Sequence, residues 1–133
     1  MKYLKTFEAL NGITFKEWLR YRKNPHYINI TELDVSNQNL IDLNGIENFK
    51  DLEYLSCHNN KLTELPDLSN LSNLKWLYCY NNKLTELPDL SNFNNLEILY
   101  CYNNKLPYNY LDEYLEWHKK NFPWVWDAKK YNL

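Results

Sequence analysis

The sequence predicts an α/β solenoid, in which short coils stack into a small horseshoe with a parallel sheet on its concave side and a helical cap at each end. Three observations support this fold class. A segment of 22 residues is nearly duplicated, each copy contains a strand-like alternation, and helical patterns flank the copies on both sides. A repeat this short cannot bury its own apolar face, so neighbouring copies must stack.

The duplication relates residues 52–73 to residues 74–95, which are identical at 16 of 22 positions. A third copy begins at Leu96 and stops at Leu106, and a degenerate copy begins at Ile30. Between the two full copies, four of the six differences fall in the first seven residues of the repeat, where the strand is expected. The frame of the repeat is therefore constant, while the strand positions vary.

In single-letter code the copies follow L-x-x-L-x-L-x-x-N-x-L, with Val or Cys at the third apolar position. The pattern resembles the leucine-rich repeat family, and the 22-residue period resembles its short, internalin-like class. The L-x-C-x-x-N-x-L-T-x-L variant is similar to repeats of bacterial and giant-virus members. The resemblance covers residues 30–107 and implies that the strands line a concave binding surface.

Side chains around each L-x-L segment alternate between two faces, as in a strand. Leu55 and Cys57 are therefore predicted to point into the coil, whereas Tyr54, Ser56 and His58 point out. Because stacked coils pair their strands in parallel, the inward positions of successive coils form one shared core.

The turn after each strand carries an asparagine, at Asn60, Asn82 and Asn104, whose amide is predicted to bond to backbone groups inside the coil. The first coil has Gln38 at this position, which predicts a looser turn. Prolines on the return legs of coils two and three exclude a regular helix, so we expect an irregular or 3-10 convex side.

Caps are predicted over residues 1–29 and 108–133, on either side of four coils over residues 30–107, all in one structural domain. In the first cap, a short helix is expected over residues 2–10, and Thr14-Phe-Lys-Glu17 matches a capping box at the start of a second helix. That helix should place Phe15, Trp18 and Leu19 on one face.

The second cap should contain an amphipathic helix of about three turns. Its apolar positions are Tyr110, Leu111, Tyr114, Leu115 and Trp117. The aromatic segment that follows is expected to pack back onto the last coil through Phe122, Pro123, Trp124 and Trp126.

Charge and hydropathy exclude several classes of function. The net charge is −2 and the pI is about 5.9, whereas a nucleic-acid binder usually carries a basic face. No apolar run reaches transmembrane length, and the first residues lack the apolar region of a secretory signal. The three Cys share one repeat position, which indicates packing and not a disulfide framework. We therefore expect a cytoplasmic protein without membrane or nucleic-acid partners.

Candidate chemical sites are few. The Cys57, Cys79 and Cys101 column forms a line, whereas metal ligands converge on a point, so neither a metal site nor a cofactor is predicted. Cys57 and His58 are adjacent on a strand and point apart, which excludes a nucleophile–base pair. His26 and His118 have no evident partner in the sequence. No catalytic residue is therefore predicted, and the protein is not expected to be an enzyme.

A lysine column recurs after the asparagine turn, at Lys61, Lys83 and Lys105. Glu64 and Glu86 follow three residues after the first two lysines and offset their charge, which indicates a solvated surface and not a phosphate-binding row.

The outward strand positions are the predicted binding surface, because aromatics make up 17% of the chain and are concentrated there. Tyr and Trp dominate interaction hot spots, and contiguous exposed apolar patches mark interaction sites. The predicted partner-binding residues are Tyr54, His58, Trp76, Tyr78, Tyr80, Ile98, Tyr100 and Tyr102, with an acidic edge at Glu32 and Asp34. The rings could instead serve only to stabilise the sheet by cross-strand stacking.

These residues favour a non-catalytic module that binds a protein or peptide on the concave face. Two alternatives use the same surface. Aromatic platforms can stack on sugar rings or, with less support from the charge, on single-stranded nucleic acid bases. The face could also mediate self-association into a homo-oligomer.

Overall fold

The structure, a computed structural model, describes residues 11–22 and 30–131. In this part of the chain, one parallel sheet contains four strands in chain order. The strands are β1 (Glu32–Asp34), β2 (Tyr54–Ser56), β3 (Trp76–Tyr78) and β4 (Ile98–Tyr100). Each strand pairs with the next at an offset of 22 residues, as Leu55 with Leu77 shows. The predicted leucine-rich repeat solenoid is confirmed.

The core is a set of columns that run through the stacked coils. The columns next to the sheet contain Leu33, Leu55, Leu77 and Leu99, followed by Val35, Cys57, Cys79 and Cys101. All of these residues are buried, and leucines of the return legs, such as Leu68 and Leu90, close the core from the convex side. Each inward side chain therefore packs against its own coil and its neighbours.

The asparagine of each turn bonds to two coils at once. The Asn82 amide donates to the carbonyls of Cys79 at 3.1 Å and Tyr80 at 3.3 Å in its own coil, and of Cys57 at 3.0 Å in the preceding coil. Its Oδ1 accepts from the Leu62 N–H at 3.0 Å. The corresponding bonds occur at Asn60 and Asn104. The predicted role of this column is confirmed.

The first turn was expected to be looser, and this prediction is wrong. The Gln38 and Leu40 N–H groups both donate to Oδ1 of Asn60, at 3.1 and 2.9 Å. The Gln38 side chain donates to the Ser36 carbonyl at 3.1 Å and accepts from the Trp18 indole at 3.1 Å. The substituted residue therefore links the first coil to the N-terminal cap.

A second asparagine column, at Asn59, Asn81 and Asn103, was missed by the sequence reasoning. Each residue has left-handed backbone angles, with φ of 56°, 55° and 53°, a conformation that Asn tolerates better than most residues. Their side chains bond to one another along the surface, at 2.6 Å from Asn81 to Asn59 and 2.7 Å from Asn103 to Asn81. The Asn-Asn dipeptide repeated in coils two, three and four was the available signal.

The return legs contain no α-helix in the described residues. A 3-10 turn occupies Ile46–Asn48 in the first coil and begins after Gly45, whose φ of 108° suits glycine. In the later coils, Asp67 and Asp89 accept hydrogen bonds from the N–H groups of Ser69 and Ser91, at 2.9 and 2.8 Å. The convex side is therefore irregular, as predicted.

The N-terminal cap contains helix α1 (Phe15–Arg22). Thr14 Oγ1 accepts from the Glu17 N–H at 3.1 Å, and a Glu17 carboxylate oxygen accepts from the Thr14 N–H at 2.8 Å, which confirms the capping box. Phe15 and Trp18 are buried against the first coil. The helix predicted over residues 2–10 and the boundary at residue 29 lie outside the described residues.

The C-terminal cap contains helix α2 (Leu111–Asn121), which has the predicted length, and helix α3 (Pro123–Lys130), which was not predicted. Pro123 occupies the first turn of α3, where its missing N–H leaves no hydrogen bond unmade. The expected packing of Trp124 onto the last coil is wrong, because its side chain is 63% exposed. Trp126, on the same helix, is half-buried beside His118.

Candidate binding surface

The outward aromatic side chains of β2, β3 and β4, and those just after these strands, lie together on the concave side of the sheet. We call this surface the aromatic face. It comprises Tyr54, His58, Trp76, Tyr78, Tyr80, Ile98, Tyr100, Tyr102 and, from the C-terminal cap, Tyr110. The structure thus brings the aromatic residues predicted from the sequence onto one surface and adds Tyr110 to them.

One side of the aromatic face is a stack of three rings. His58 and Tyr80 have centroids 4.4 Å apart and planes 10° apart, and Tyr80 and Tyr102 follow at 4.6 Å and 11°. Because parallel coils place equivalent residues directly above one another, these rings meet face to face. Both faces of the Tyr80 ring are therefore covered by its neighbours.

The other side of the aromatic face is a row of tilted rings. Tyr54 and Tyr78 meet edge to face at 5.4 Å, and Tyr78 and Tyr100 are 5.0 Å apart with planes at 51°. Tyr110 continues the row at 5.9 Å from Tyr100, with the planes at 85°. Offset and edge-to-face contacts of this kind are favourable between aromatic rings and restrict their motion.

Tyr110 joins the row because the chain reverses after the last coil. Tyr100 and Tyr110 form an antiparallel bridge, and the Cys101 N–H donates to the Asn109 carbonyl at 2.9 Å. The cap therefore covers the open edge of β4 and extends the aromatic face. The sequence reasoning assigned Tyr110 only to the apolar side of α2.

A shallow groove of about 340 Å³ runs between the stack and the row. Its lining consists of Tyr54, His58, Tyr78, Tyr80, Tyr100 and Tyr102. Burial, together with the neighbouring tyrosines, raises the pKa of Tyr78 and of Tyr80 above the ordinary value. These hydroxyls therefore stay protonated at neutral pH and can both donate and accept hydrogen bonds.

A second groove of about 310 Å³ lies between β4 and the C-terminal cap. Its lining consists of Glu97, Ile98, Leu99, Tyr100, Tyr110, Leu111, Asp112 and Leu115. Tyr100 contributes to both grooves, so the two form one continuous surface. The cap end of the aromatic face is therefore flanked by two acidic side chains, Glu97 and Asp112.

The other end of the aromatic face is also acidic, at Glu32 and Asp34 of β1, and both side chains are exposed. Partial burial raises the pKa of Asp34, but hydrogen bonds from the Ser36 side chain and N–H, at 2.6 and 2.9 Å, together with the charge of His58, outweigh it, so the pKa lies below its usual value. Asp34 is therefore ionised at neutral pH.

Ser56 and His58 form a pair with the spacing of a nucleophile and its base, since Oγ and Nδ1 are 2.7 Å apart. Ser56 lies on the outward side of the strand with His58, as predicted, but its side chain is fully buried beneath the aromatic face. A hydroxyl closed off from solvent cannot reach a substrate. The bond instead fixes the orientation of the first ring in the stack.

The cysteine column lies inside the core. Burial raises the pKa of Cys57 and of Cys101 to about 12, and that of Cys79 well above its ordinary value. Buried thiols that stay protonated are neither nucleophiles nor metal ligands. Among the described residues, no group of three or more His, Cys, Asp or Glu side chains could hold a metal ion.

His118, for which the sequence indicated no partner, has two in the structure. Its ring is buried, Nδ1 lies 3.1 Å from the Trp126 indole nitrogen, and Nε2 lies 3.3 Å from Asp89 Oδ1. Because an indole N–H can only donate, Nδ1 accepts and Nε2 carries the proton that faces Asp89. The contact joins the C-terminal cap to coil three. The other flanking histidine, His26, lies outside the described residues.

The same junction has two further bonds. The Tyr114 hydroxyl accepts from the Leu90 N–H at 2.9 Å, and the Lys129 ammonium donates to the Ser91 carbonyl. These contacts attach α2 and α3 to the return leg of coil three, on the side of the coil away from the aromatic face.

No helix in residues 11–22 or 30–131 is both long and apolar enough to span a membrane.

Comparison with known proteins supports the repeat. The family model described as Leucine Rich repeats (2 copies) matches residues 28–70 and 72–112. A solved leucine-rich repeat protein of Leptospira interrogans is similar over 71% of this chain, with 34% identity and a TM-score of 0.58, and this chain spans 24% of the length of that protein. No curated protein matches the sequence. Domains of this kind are generally protein-interaction modules and typically non-catalytic. The matched ranges cover more than half of the sequence, and the chain belongs to the leucine-rich repeat family.

Proposed function

We propose that this protein is a non-catalytic interaction module that binds a protein or peptide on its aromatic face. The observation that carries the proposal is the continuous row of half-buried and exposed tyrosines, in which Tyr100 and Tyr110 are 37% and 43% exposed. Contiguous exposed aromatic surface of this kind is typical of interaction sites.

The rings are held in place before a partner arrives. His58, Tyr80 and Tyr102 fix one another in the stack, and Tyr78 lies between Tyr54 and Tyr100 in the row. Ordering side chains on binding lowers affinity, so rings that are already ordered contribute more of their contact energy to the complex. The groove between them offers hydroxyl groups as well as apolar ring surface.

Stabilisation of the sheet by ring stacking would explain the contacts between the rings. It would not explain why differences between coils two and three fall at the outward strand positions. Between coils two and three, three of the six differences fall at outward strand positions, which change Tyr54 to Trp76, Ser56 to Tyr78 and His58 to Tyr80. The inward positions of the same strands keep Leu and Cys. Variation confined to one face of a strand favours recognition on that face.

The geometry of the rings favours protein over carbohydrate or nucleic acid. Stacking on a sugar or a base needs a free ring face, and both faces of Tyr80 are occupied by His58 and Tyr102. The outward strand positions carry no Lys or Arg that could contact phosphates. Ring edges, hydroxyls and a shallow groove suit peptide groups better.

A library of displayed random peptides provides the test. Peptides selected on the wild-type protein should lose at least about tenfold in affinity when Tyr78 and Tyr100 are both replaced by Ala, because a tenfold loss needs only about 1.4 kcal/mol. The matched control replaces two exposed aromatics elsewhere, Trp124→Ala with Tyr131→Ala, and should leave affinity unchanged.

Three outcomes would overturn the proposal. Peptides that bind the Tyr78→Ala, Tyr100→Ala protein as well as wild type would place recognition elsewhere. Binding on a glycan array that the same double variant abolishes would assign the face to carbohydrate. A size on a gel-filtration column that depends on concentration, and ceases to do so in the variant, would assign it to self-association.

A further inference from the structure

We infer that the partner of the aromatic face is a peptide segment that carries Arg or Lys side chains at both ends of a short apolar or aromatic stretch. This inference rests on the proposed function, because it names the partner class of the same surface. The basic groups would lie against the carboxylates at the two ends of the aromatic face, and the central residues would occupy its groove.

The fixed charge at the outward strand positions is of one sign. Glu32 and Asp34 are the only residues with a fixed charge at the outward strand positions. Glu97 and Asp112 line the groove at the opposite end. Within residues 11–22 and 30–131, no Lys or Arg forms an ion pair with any of these four carboxylates. The uncompensated negative charge favours a basic partner and repels an acidic one.

The basic residue nearest in the repeat is already occupied. Lys75 directly precedes β3 and pairs with Glu53 of the preceding coil at 3.2 Å. The equivalent residue of the next coil is Glu97. The charge alternation along this column therefore ends with an acid at the cap end of the surface.

Aromatic rings surround both acidic ends. Asp34 pairs in register with Ser56, and Ser56 with Tyr78, so the carboxylate lies two strands, or about 10 Å, from Tyr78 along the sheet. Ser56 is fully buried under the neighbouring rings, and its hydroxyl bonds to His58. A guanidinium or ammonium at the β1 edge of the aromatic face would pair with the carboxylate and lie against these rings.

The cap end repeats this combination with different residues. Asp112 and Glu97 line a groove with Tyr100 and Tyr110, whose rings are exposed. An uncharged apolar partner would cover these carboxylates without pairing them, and burying an unpaired charge is strongly unfavourable. A basic side chain removes that penalty at each end.

The length of the segment follows from the sheet. Strands β1 and β4 are separated by three steps of about 4.8 Å, or roughly 14 Å, which an extended peptide spans with about four residues. The two basic side chains should therefore be separated by about three or four positions when the segment crosses the strands, on the basis of a rise of about 3.3 Å per residue.

Sequencing the peptides selected on the wild-type protein is the first test. Those that lose binding to the Tyr78→Ala, Tyr100→Ala protein should be enriched in Arg and Lys at this spacing. One such peptide is then synthesised and measured by fluorescence anisotropy against Glu32→Gln with Asp34→Asn. Asparagine keeps an Oδ1 that can accept from Ser36, so the local turn is retained.

We expect the acidic-edge double variant to bind this peptide about tenfold more weakly, a change of about 1.4 kcal/mol. Wild-type affinity should fall as salt is raised, and the variant should be less salt-sensitive. The matched control, Glu64→Gln with Glu86→Gln, removes the same charge from the exposed return legs and should bind within about twofold of wild type, on the scale of remote surface charges.

The outcomes separate this inference from the proposed function. Peptides that need Tyr78 and Tyr100 but show no basic enrichment, and that bind the acidic-edge variant as well as wild type, overturn the partner class and leave the interaction module intact. If no peptide depends on Tyr78 and Tyr100, both the inference and the proposed function fail. If the acidic-edge variant and the return-leg control lost equal peptide affinity, the effect would come from the net charge of the protein and not from the position of the carboxylates, and the inference would be overturned.

Discussion

Cys79 and Tyr80 are neighbours at the end of β3 and lie in opposite environments. Cys79 is fully buried between Cys57 and Cys101, whereas Tyr80 lies on the concave surface between His58 and Tyr102. The inward side chain must fit the coils above and below it, so its column changes little. The outward side chain is limited mainly by solvent, so its column can change in size and chemistry. The inward residues of these strands therefore serve stability, and the proposed recognition falls to the outward residues that alternate with them.

The largest stability effect is expected from Asn82→Ala. The substitution leaves the Leu62 N–H without a partner. The carbonyls of Cys57, Cys79 and Tyr80 each lose one hydrogen bond but keep another donor, from Asn60, Asn104 and the Asn59 N–H. An unpaired buried N–H costs about 1–3 kcal/mol and each lost hydrogen bond about 0.5–1.5 kcal/mol, so a loss of about 3 kcal/mol or more in the free energy of unfolding is expected. Urea unfolding followed by circular dichroism measures it.

The neighbouring residue is the matched control. Asn81→Ala removes bonds that are exposed and places Ala at a φ of 55°. The left-handed conformation costs about 1–2 kcal/mol for Ala, so the loss should be about half that of Asn82→Ala. Equal losses at the two positions would contradict the distinction between an internal and a surface asparagine column.

A smaller effect on stability is expected from Tyr80→Ala. The change removes two stacked contacts, with His58 and with Tyr102, and aromatic contacts contribute about 0.5–1.5 kcal/mol. We expect the free energy of unfolding to fall by about 1 kcal/mol, while peptide affinity falls more. Tyr80→Phe keeps the ring and should unfold as wild type does. If Tyr80→Ala lowered the free energy of unfolding as much as Asn82→Ala does, the stack would have to be counted as a structural element and not as a recognition surface.

A pH-dependent effect is expected at the junction of coil three with the C-terminal cap. Partial burial raises the pKa of Asp89, but hydrogen bonds from Ser91 and the electrostatic influence of the facing His118 ring and of Lys129 outweigh it, so the folded pKa is lowered. The stabilisation is therefore complete above the unfolded pKa of about 3.9 and is lost as the pH falls through the lower folded pKa. Asp89→Asn should destabilise the protein at pH 7 by less than about 1 kcal/mol, because the carboxylate is largely exposed.

Asp67→Asn separates the two contributions to this effect. Asp67 occupies the same repeat position and accepts from the Ser69 N–H, but has no histidine partner among the described residues. The difference between the two variants, measured by urea unfolding at pH 7, reports the interactions of Asp89 with His118 and Lys129. It should disappear in acid, once Asp89 is protonated. A difference that persists there would show that the carboxylate charge is not its cause.

The smallest effect concerns the buried thiols. Because burial raises the pKa of Cys57 and Cys101 to about 12, the native protein should resist alkylation by iodoacetamide at mildly alkaline pH. All three Cys should react once the chain is unfolded in urea, as mass spectrometry would show. Modification of the native protein without loss of structure would contradict the assignment of this column to the core.

Most of the features that were predicted correctly occur in several coils, at the same position of the repeat. The inward columns, the asparagine turns and the aromatic surface follow from the 22-residue period and the alternation within a strand. The capping box at Thr14 and Glu17 is not repeated, but it could be predicted because its two residues are only three positions apart.

The features that were missed join residues that no pattern connects. Tyr110 reaches the aromatic face because the chain reverses after the last coil, and His118 meets Asp89 because α2 packs on coil three. The burial of Ser56 was also missed: it is smaller than the rings around it on the outward face and is buried under them. Such contacts depend on the relative positions of whole elements, which periodicity does not encode.

The sequence by itself determined the period, the parallel register and the face on which each strand residue lies, because every coil must repeat the contacts of the one before it. The tertiary structure decided how the ends are closed. Gln38 accepts a hydrogen bond from Trp18 of the N-terminal cap, and Tyr110 of the C-terminal cap extends the aromatic face. Where the repeat stops, the end of the core would be exposed to solvent, and side chains of the caps cover it. Those contacts are set by shape and distance in the folded chain, so they appear only there.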